Sequence, residues 1–313
     1  MQRPPDSALV LFPGALGDFI CFLPTLVGLR QRHRGALLLV ARPSLLALLR
    51  SPDVTTTSID RREIADLFVP GTSVAAGTRE LLSGFAQVYS WTGFGNAELA
   101  PRAARVTGGQ IRVYPFRGMR AGEHAVDYYA RCAGLVVRPL AAAAIRTDSA
   151  WTSERLPLSR ELDGRDVLVV HPGSGSRRKN WQGFSAAIQS WQAHRGGLVV
   201  LLHGPAETEH DVGVDARTVR LHDLSLPQVA GLLRRSTLYL GNDSGVSHLA
   251  GALGARGVVI FGPTDPAAWA PRGRGLRVVS APTPCARCRP DVFCIHRLPV
   301  QTVIDALEAA RRA

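Results

Sequence analysis

Short apolar runs alternate along this chain with longer stretches in which apolar residues return at helical spacing. Ala8–Phe12 is the first such run, and a glycine-bearing turn, Pro13-Gly-Ala-Leu-Gly17, leads from it into a helical pattern reaching about Arg32. Ala36–Ala41 reads as a second buried strand, followed by a helix after Pro43. Strands alternating with helices at this spacing predict a parallel sheet with crossover helices, an α/β fold. The pattern weakens between Thr72 and Gly122, where Phe85–Trp91 and Gln110–Tyr114 read as strands, and a helix over Glu123–Ala133 closes the series.

Arg146–Asp163 is polar, contains proline and lacks periodicity, so it reads as a linker. A second series then begins with strands predicted over Asp166–His171, Gly197–His203, Leu238–Gly241 and Gly257–Phe261. Helices are expected over Gln182–His194, Ser225–Arg235 and Ser244–Leu253, and an amphipathic one over Pro299–Arg312. A length of 313 residues exceeds what one core usually supports. The expected division is 1–150, 151–298, and a final helix, 299–313, packing back toward the first domain. Two α/β halves imply a cleft between them, with ligands outside the carboxyl ends of the strands.

Met1–Ser7 is polar and proline-rich, so no secretory leader is expected. The longest apolar region, Phe19–Leu29, is too short to span a bilayer and contains Pro24. Five cysteines suit a reducing compartment better than a disulfide scaffold. The expected location is therefore the cytoplasm. The net charge of +12 is shared evenly between the halves 1–155 and 156–313, without a basic tail. Such a field suits nucleotide diphosphates, phosphorylated glycolipids or an anionic membrane surface, while no motif for reading nucleic acid is present. Among 37 basic residues only Lys179 is a lysine, which reads either as a position where a compact ammonium serves and a planar guanidinium does not, or as one surface lysine left by chance.

Three segments of the second half share one design, a strand followed by a small-residue turn with a polar group at its end. In His171-Pro-Gly-Ser-Gly-Ser-Arg-Arg-Lys-Asn-Trp181, the loop around Gly175 can turn backbone N–H groups toward phosphate oxygens, Ser174 and Ser176 add hydroxyls, and Lys179 adds a mobile charge. The spacing is neither that of a Walker A loop nor that of a dinucleotide fingerprint. Leu202-His-Gly-Pro-Ala-Glu207 sets a carboxylate just past a strand, within reach of ribose hydroxyls. Gly241-Asn-Asp-Ser-Gly-Val-Ser-His248 places Asp243 and Ser244 at a helix start, where either anion binding or simple capping would use them. Asp18 has the same two readings, base or helix cap.

These segments resemble glycosyltransferase family 9, the ADP-heptose:lipopolysaccharide heptosyltransferases and their relatives. The shared motifs are Gly14-Ala-Leu-Gly-Asp18 with Pro24, His171-Pro-Gly-Ser…Lys179-Asn-Trp181, Gly204-Pro-Ala-Glu207 and Asn242-Asp-Ser-Gly-Val-Ser-His-Leu-Ala250, followed by Phe261-Gly-Pro-Thr-Asp-Pro266 and Trp269-Ala-Pro271. The resemblance implies a GT-B fold, two Rossmann-like domains facing each other across a cleft, with the acceptor on the N-terminal side. It implies an inverting transfer, with no catalytic metal and no cofactor beyond the nucleotide-sugar co-substrate, ADP-heptose. By the same match Asp18 is the base, with Gly14 and Gly17 on the acceptor side, and Lys179 binds the diphosphate. Glu207, or Glu209 in its place, meets the ribose, and Asp243, Ser244, Gly245 and His248 hold the donor.

Two departures stand out: Ser244 replaces the family's more frequent threonine, and Phe12-Pro-Gly-Ala precedes Leu16 where many members carry Ser or Asn. The implied partners are a nucleotide sugar and an anionic glycolipid acceptor, with peripheral contact at the cytoplasmic face of the inner membrane. Another nucleotide sugar, or a binding module without catalysis, are the alternative readings. Cys285, Cys288, Cys294 and His296 carry zinc-ligand chemistry at a spacing that matches no standard site. Free thiols or a reversible disulfide are expected there, with zinc substoichiometric or absent; Cys21 and Cys132 read as core residues.

Overall fold

The computed structural model describes residues 6–69, 71, 73–150, 166–195, 197–204, 218–281 and 294–313. The chain divides into two units, Met1–Leu140 and Ala141–Ala313.

The first unit carries a parallel sheet of β1 (Ala8–Leu11), β2 (Leu37–Ala41), β3 (Thr55–Ser58), β4 (Gln87–Ser90) and β5 (Gln110–Val113) in the order β3-β2-β1-β4-β5. Its principal helices are α1 (Leu16–Arg32), α2 (Ala76–Leu82), α3 (Leu99–Thr107) and α4 (Ala125–Cys132). Strands β1 and β2 are buried along their whole length, which explains their unbroken apolar runs. One face packs Leu9, Leu11, Leu38 and Val40 against Ile64, Leu82, Phe85, Leu99 and Val106. Arg102 lies inside α3, 2% exposed, and donates to the carbonyls of Asp66, Gly71 and Ser73 and to the Asp66 carboxylate. That one side chain fastens the loop before α2.

The second unit carries β6 (Val167–His171), β7 (Leu198–His203), β8 (Thr218–His222), β9 (Leu238–Asn242), β10 (Gly257–Phe261) and β11 (Leu276–Ser280), all parallel, in the order β11-β10-β9-β6-β7-β8. Its helices include α5 (Phe184–Arg195), α6 (Leu226–Arg235), α7 (Gly245–Ala252) and α8 (Val300–Arg312). Helix α6 is entered through the Ser225 cap expected from the sequence, with Gln228 closing a capping box.

In each sheet the chain runs outward from the first strand on one side, then returns to continue on its other side. The reversal falls between β1 and β4 in one unit, and between β6 and β9 in the other. Loops leaving adjacent strands in opposite directions at such a point open a crevice at the carboxyl edge, where α/β folds take ligands. The fold thus designates the loops after β1, β6 and β9 before any side chain is considered.

Two expectations are corrected. The boundary falls between Leu140 and Ala141 rather than after residue 150, because the stretch just beyond Leu140 is fastened to the second unit. Ile145 is buried, the Asp148 N–H donates to the Pro227 carbonyl at 2.8 Å, and the Asp148 carbonyl sits where a β-carbon on Gly231 would be 2.0 Å away. The rest of the expected linker lies mostly outside the described residues. The final helix, α8, is built into the second unit. Val303, Leu307 and Ala310 are buried with Ile188, Trp191, Leu168 and Ile260, and Arg311 pairs with Asp166 at 2.9 Å. An amphipathic helix with that apolar stripe packs where a matching surface is nearest in the chain's own core.

Candidate active site

In the first unit, the turn after β1 sets Asp18 as the third residue of α1. Ala15 is the cap and makes no side-chain capping bond, so the capping reading of Asp18 does not hold. The Asp18 side chain is 5% exposed and accepts from Arg117 Nη2 at 3.2 and 3.4 Å and from the Tyr129 hydroxyl at 3.5 Å. Arg117 itself is 59% exposed. Burial first, and the Asp18 charge second, push the Tyr129 hydroxyl far above its ordinary range, so it remains a donor to the carboxylate.

Aromatic rings wall this site. Phe12 stacks on Phe22 at 4.3 Å and meets Tyr129 edge-on at 5.4 Å, while Trp91 packs on Phe22 at 4.9 Å. Gly14 is needed in this turn, since a β-carbon there would fall 2.5 Å from the Phe12 ring and 2.8 Å from Asp18 Cβ. Gly17 is the second helical residue and is half-buried.

In the second unit the loops after β6 and β9 meet. Lys179, on a short turn Arg177–Lys179, puts its ammonium 2.7 Å from Asp243 Oδ2. The lysine side chain is 29% exposed and the aspartate 5%, so the cation reaches outward from a buried acid. Asn242, fully buried, clamps the two loops. Its amide donates to the Pro172 carbonyl at 2.5 Å, its side-chain oxygen accepts from Trp181 N–H at 3.2 Å, and its carbonyl accepts from the Ser247 hydroxyl at 2.5 Å.

Ser244 is the cap of α7, accepting weakly from Ser247 N–H at 3.4 Å, with His171 Nδ1 at 3.3 Å. Gly245 then begins the helix, whose first N–H groups lack intrahelical partners and favour anions. His248 is buried one turn in. Ser174, expected to offer its hydroxyl outward, is turned into its own loop. It lies 2.6 Å from Asn180 Oδ1 and 2.7 Å from the Ser176 carbonyl, and accepts from Ser176 N–H at 3.2 Å. Gly175, by contrast, has nothing within 4 Å of where a β-carbon would stand.

Glu207 and Glu209 lie outside the described residues, as do Cys285 and Cys288. Cys294 and Cys21 are buried, and Cys132 is only half-buried, its thiol pushed up chiefly by burial. Among the described residues, no group of three or more His, Cys, Asp or Glu side chains is arranged to hold a metal. Nor is any described helix long and apolar enough to cross a membrane.

The site residues missed by sequence reasoning are Arg117, Tyr129 and Asn242. Arg117 is 99 residues from Asp18 and Tyr129 is 111, so no local pattern connects them. Asn242 had a signal: it directly precedes Asp243 at the end of a buried strand, where a side-chain amide can satisfy the carbonyl and N–H groups of loops arriving from the neighbouring strand.

Two parallel α/β units, each with its switch point at the carboxyl edge, are the architecture of the GT-B fold. The fold matches the glycosyl transferase family 9 structure from Veillonella parvula DSM 2008 with a TM-score of 0.76, at 19% identity over 100% of this chain and 99% of that one. It also matches the E. coli ADP-heptose lps heptosyltransferase II structure, with a TM-score of 0.70, at 19% identity over 98% of each chain. Residues 138–293 match Glycosyltransferase family 9 (heptosyltransferase), and the chain is a heptosyltransferase-like member of that family. A lipopolysaccharide heptosyltransferase 3 of Escherichia coli is 28% identical over 133 residues, 39% of this chain and 39% of that protein. A second, from strain K12, is 29% identical over 128 residues, 36% of this chain and 37% of its own length. The matched stretches thus span about two fifths of these curated relatives.

Proposed function

We propose that this protein transfers a sugar from a nucleotide diphosphate donor, ADP-heptose, to a hydroxyl of an anionic glycolipid of the lipopolysaccharide-core type. The observation that carries the reading is the Lys179–Asp243 pair at the switch point of the second unit, next to the start of α7. A diphosphate arriving there draws the ammonium from Asp243 and meets the helix N–H groups, so negative charge on the leaving group is matched. Asp243, released from the lysine, accepts from sugar hydroxyls. The structure of E. coli heptosyltransferase WaaC with ADP, which this fold matches with a TM-score of 0.66 at 19% identity over 97% of this chain and 99% of that one, supports a nucleotide donor.

The acceptor oxygen attacks the anomeric carbon, the bond from that carbon to the phosphate oxygen breaks, and the acceptor proton passes to Asp18. One displacement of this kind inverts the anomeric centre. Base assistance contributes about 10²–10⁴-fold. In this reading Lys179, not a metal, balances the diphosphate charge, and activity persists in the presence of a chelator. The protein works in the cytoplasm and touches the membrane face where its glycolipid resides.

A thermal-shift screen of nucleotides and nucleotide sugars tests the donor assignment. A ligand held at 100 times its Kd adds about 2.7 kcal/mol to stability. ADP and ADP-heptose should raise the melting temperature above the other nucleotides. A stronger response to another nucleotide sugar would reassign the donor, and a nucleotide response without transfer to any core glycolipid would mark a binding module.

A further inference from the structure

The second sheet carries its donor loops at the carboxyl ends of the strands, and the amino ends of the same strands carry a row of cations. Arg234 and Arg235 close α6 ahead of β9, Arg256 stands directly before β10, and Arg274 and Arg277 flank the start of β11. All five are exposed, and β9, β10 and β11 are neighbours in the sheet. Residues 232–237, 253–258 and 270–280, which make this edge, contain no Asp or Glu. The next strand is β6, and the acid that precedes it, Asp166, is taken by Arg311 at 2.9 Å.

Backbone contacts hold the row in place. The Arg256 carbonyl accepts from Tyr239 N–H at 2.8 Å, and Gly257 N–H donates to the Gly275 carbonyl at 3.0 Å. Two glycines permit the close approach. A β-carbon on Gly273 would fall 2.4 Å from the Gly251 carbonyl oxygen, and one on Gly275 would fall 2.5 Å from that of Ala255. Arg274 lies between them, so its backbone is pressed onto the end of α7 and the turn into β10. Adjacent strands are about 4.8 Å apart, so three strand starts span about 10 Å. That is close to the Debye length of about 8–10 Å in ordinary salt, and the potentials of the row add.

Arg234 and Arg235 have a local use, because cations complement the dipole at a helix C-terminus. Arg256, Arg274 and Arg277 sit at strand starts and have no such use. The chemistry around them restricts the partner. Single-stranded nucleic acid is gripped by aromatic platforms, and the cores of protein interfaces are depleted of charge. The three segments contain no aromatic residue. A fluid surface of anionic headgroups requires only cations of one sign within a Debye length.

We propose that the amino edge of β9–β11 is the surface by which this protein docks on an anionic lipid bilayer, with Arg256, Arg274 and Arg277 as its principal contacts. The inference rests on the membrane-resident acceptor of the proposed function and names the surface that meets the membrane. Strands β9 and β10 are five residues long, so the row lies about 16 Å along the sheet from the carboxyl-edge loops and leaves them open to the donor.

The test is flotation of the full chain with vesicles of phosphatidylethanolamine and phosphatidylglycerol, against vesicles in which phosphatidylcholine replaces the anionic lipid. The wild type should bind only the anionic vesicles, and should leave them at about 1 M salt, where the Debye length falls to about 3 Å. Each basic residue near such a surface contributes about fivefold in affinity. The combined change Arg256→Gln, Arg274→Gln and Arg277→Gln should therefore weaken binding by ~10²-fold. The same positions changed to Lys should keep it within about threefold. A control triple, Arg50→Gln, Arg105→Gln and Arg138→Gln, removes the same net charge at exposed positions of the first unit and should cost less than about threefold.

Melting temperature and transfer to a deacylated, water-soluble acceptor should be unchanged in the Arg256, Arg274 and Arg277 triple, which separates docking from folding and chemistry. Equal losses in the two glutamine triples would reduce the effect to net charge and overturn the proposal, as would equal binding to neutral vesicles. Duplex DNA bound more tightly than the vesicles at the same salt, and lost in the same triple, would overturn it in favour of nucleic acid. If no acceptor is glycosylated but the row still governs vesicle binding, the transfer reading fails and the docking surface stands. If the soluble acceptor is glycosylated and the triple binds vesicles like wild type, the docking surface fails alone.

Discussion

Each unit keeps a buried carboxylate against a more exposed cation, and the two pairs differ in how firmly they are built. Asp243 and Lys179 meet at 2.7 Å, on loops locked by the three bonds of Asn242. Asp18 and Arg117 meet at 3.2 and 3.4 Å, with the carboxylate set among rings and the arginine 59% exposed. Polar clamps fix the position of loops, as a diphosphate site requires. An aromatic wall fixes Asp18, while Arg117 reaches it from the surface. In the proposed reading, the short, well-framed pair holds charge and the longer one moves a proton.

The comparison is broken hardest at Asp18. Asp18→Asn should lower turnover by about 10²–10⁴-fold, because the amide cannot take the acceptor proton. Donor affinity, measured by calorimetry with ADP, should stay near wild type. Turnover within a few-fold of wild type would remove Asp18 from the chemistry. Lys179→Ala should cost on the order of 10²–10³ in turnover, the effect of losing one well-placed donor to developing charge. It also strips the partner from a buried acid, so donor affinity and melting temperature should both fall. Lys179→Arg should recover only part, since a longer planar fork does not overlay the ammonium beside Asp243. An arginine variant equal to wild type in both affinity and turnover would reduce Lys179 to generic positive potential.

The frameworks behind the pairs come next. Asn242→Ala removes a 0%-exposed amide and orphans the Pro172 carbonyl and the Trp181 N–H, so a loss of about 2–4 kcal/mol is expected by urea unfolding. Gly14→Ala in the other unit drives a methyl into the Phe12 ring and Asp18 Cβ, an overpacking expected to cost about 1–3 kcal/mol and to displace Asp18. If Asn242→Ala proves milder than Gly14→Ala, the second site owes its form to something other than the asparagine clamp.

How much of this was legible in the sequence depended on burial. The central strands β1, β2, β6, β9 and β10 are buried throughout and stand out as apolar runs. Thr55–Ser58, Thr218–His222 and Leu276–Ser280 escaped notice because all three are edge strands, partly exposed and carrying threonine, arginine or histidine. Lys179 announced itself by composition, as the one lysine among 37 basic residues. Arg117 did not, since an arginine among many carries no mark until a fold brings it beside a carboxylate. Ser174 was legible as a loop residue but not in its orientation, because hydroxyl direction is decided by Asn180, which lies across the same turn.

Gly175 gives the smallest and most discriminating effect. Unlike Gly14, it has no neighbour within 4 Å of a β-carbon, and its backbone does not take the left-handed conformation that favours glycine. The fold therefore does not require glycine there. Gly175→Ala should leave stability unchanged or raise it by about 0.4–1 kcal/mol, through the less flexible unfolded chain. If phosphate oxygens approach the loop backbone, the added methyl stands in their way, and donor KM should rise about three- to tenfold while kcat changes little. A KM equal to wild type would place the diphosphate elsewhere on the loop, nearer Ser176 and Lys179. A lowered melting temperature would show instead that the glycine serves the loop's own conformation. Only a rise in KM with undiminished stability separates a glycine kept for the ligand from one kept, like Gly14, for the fold.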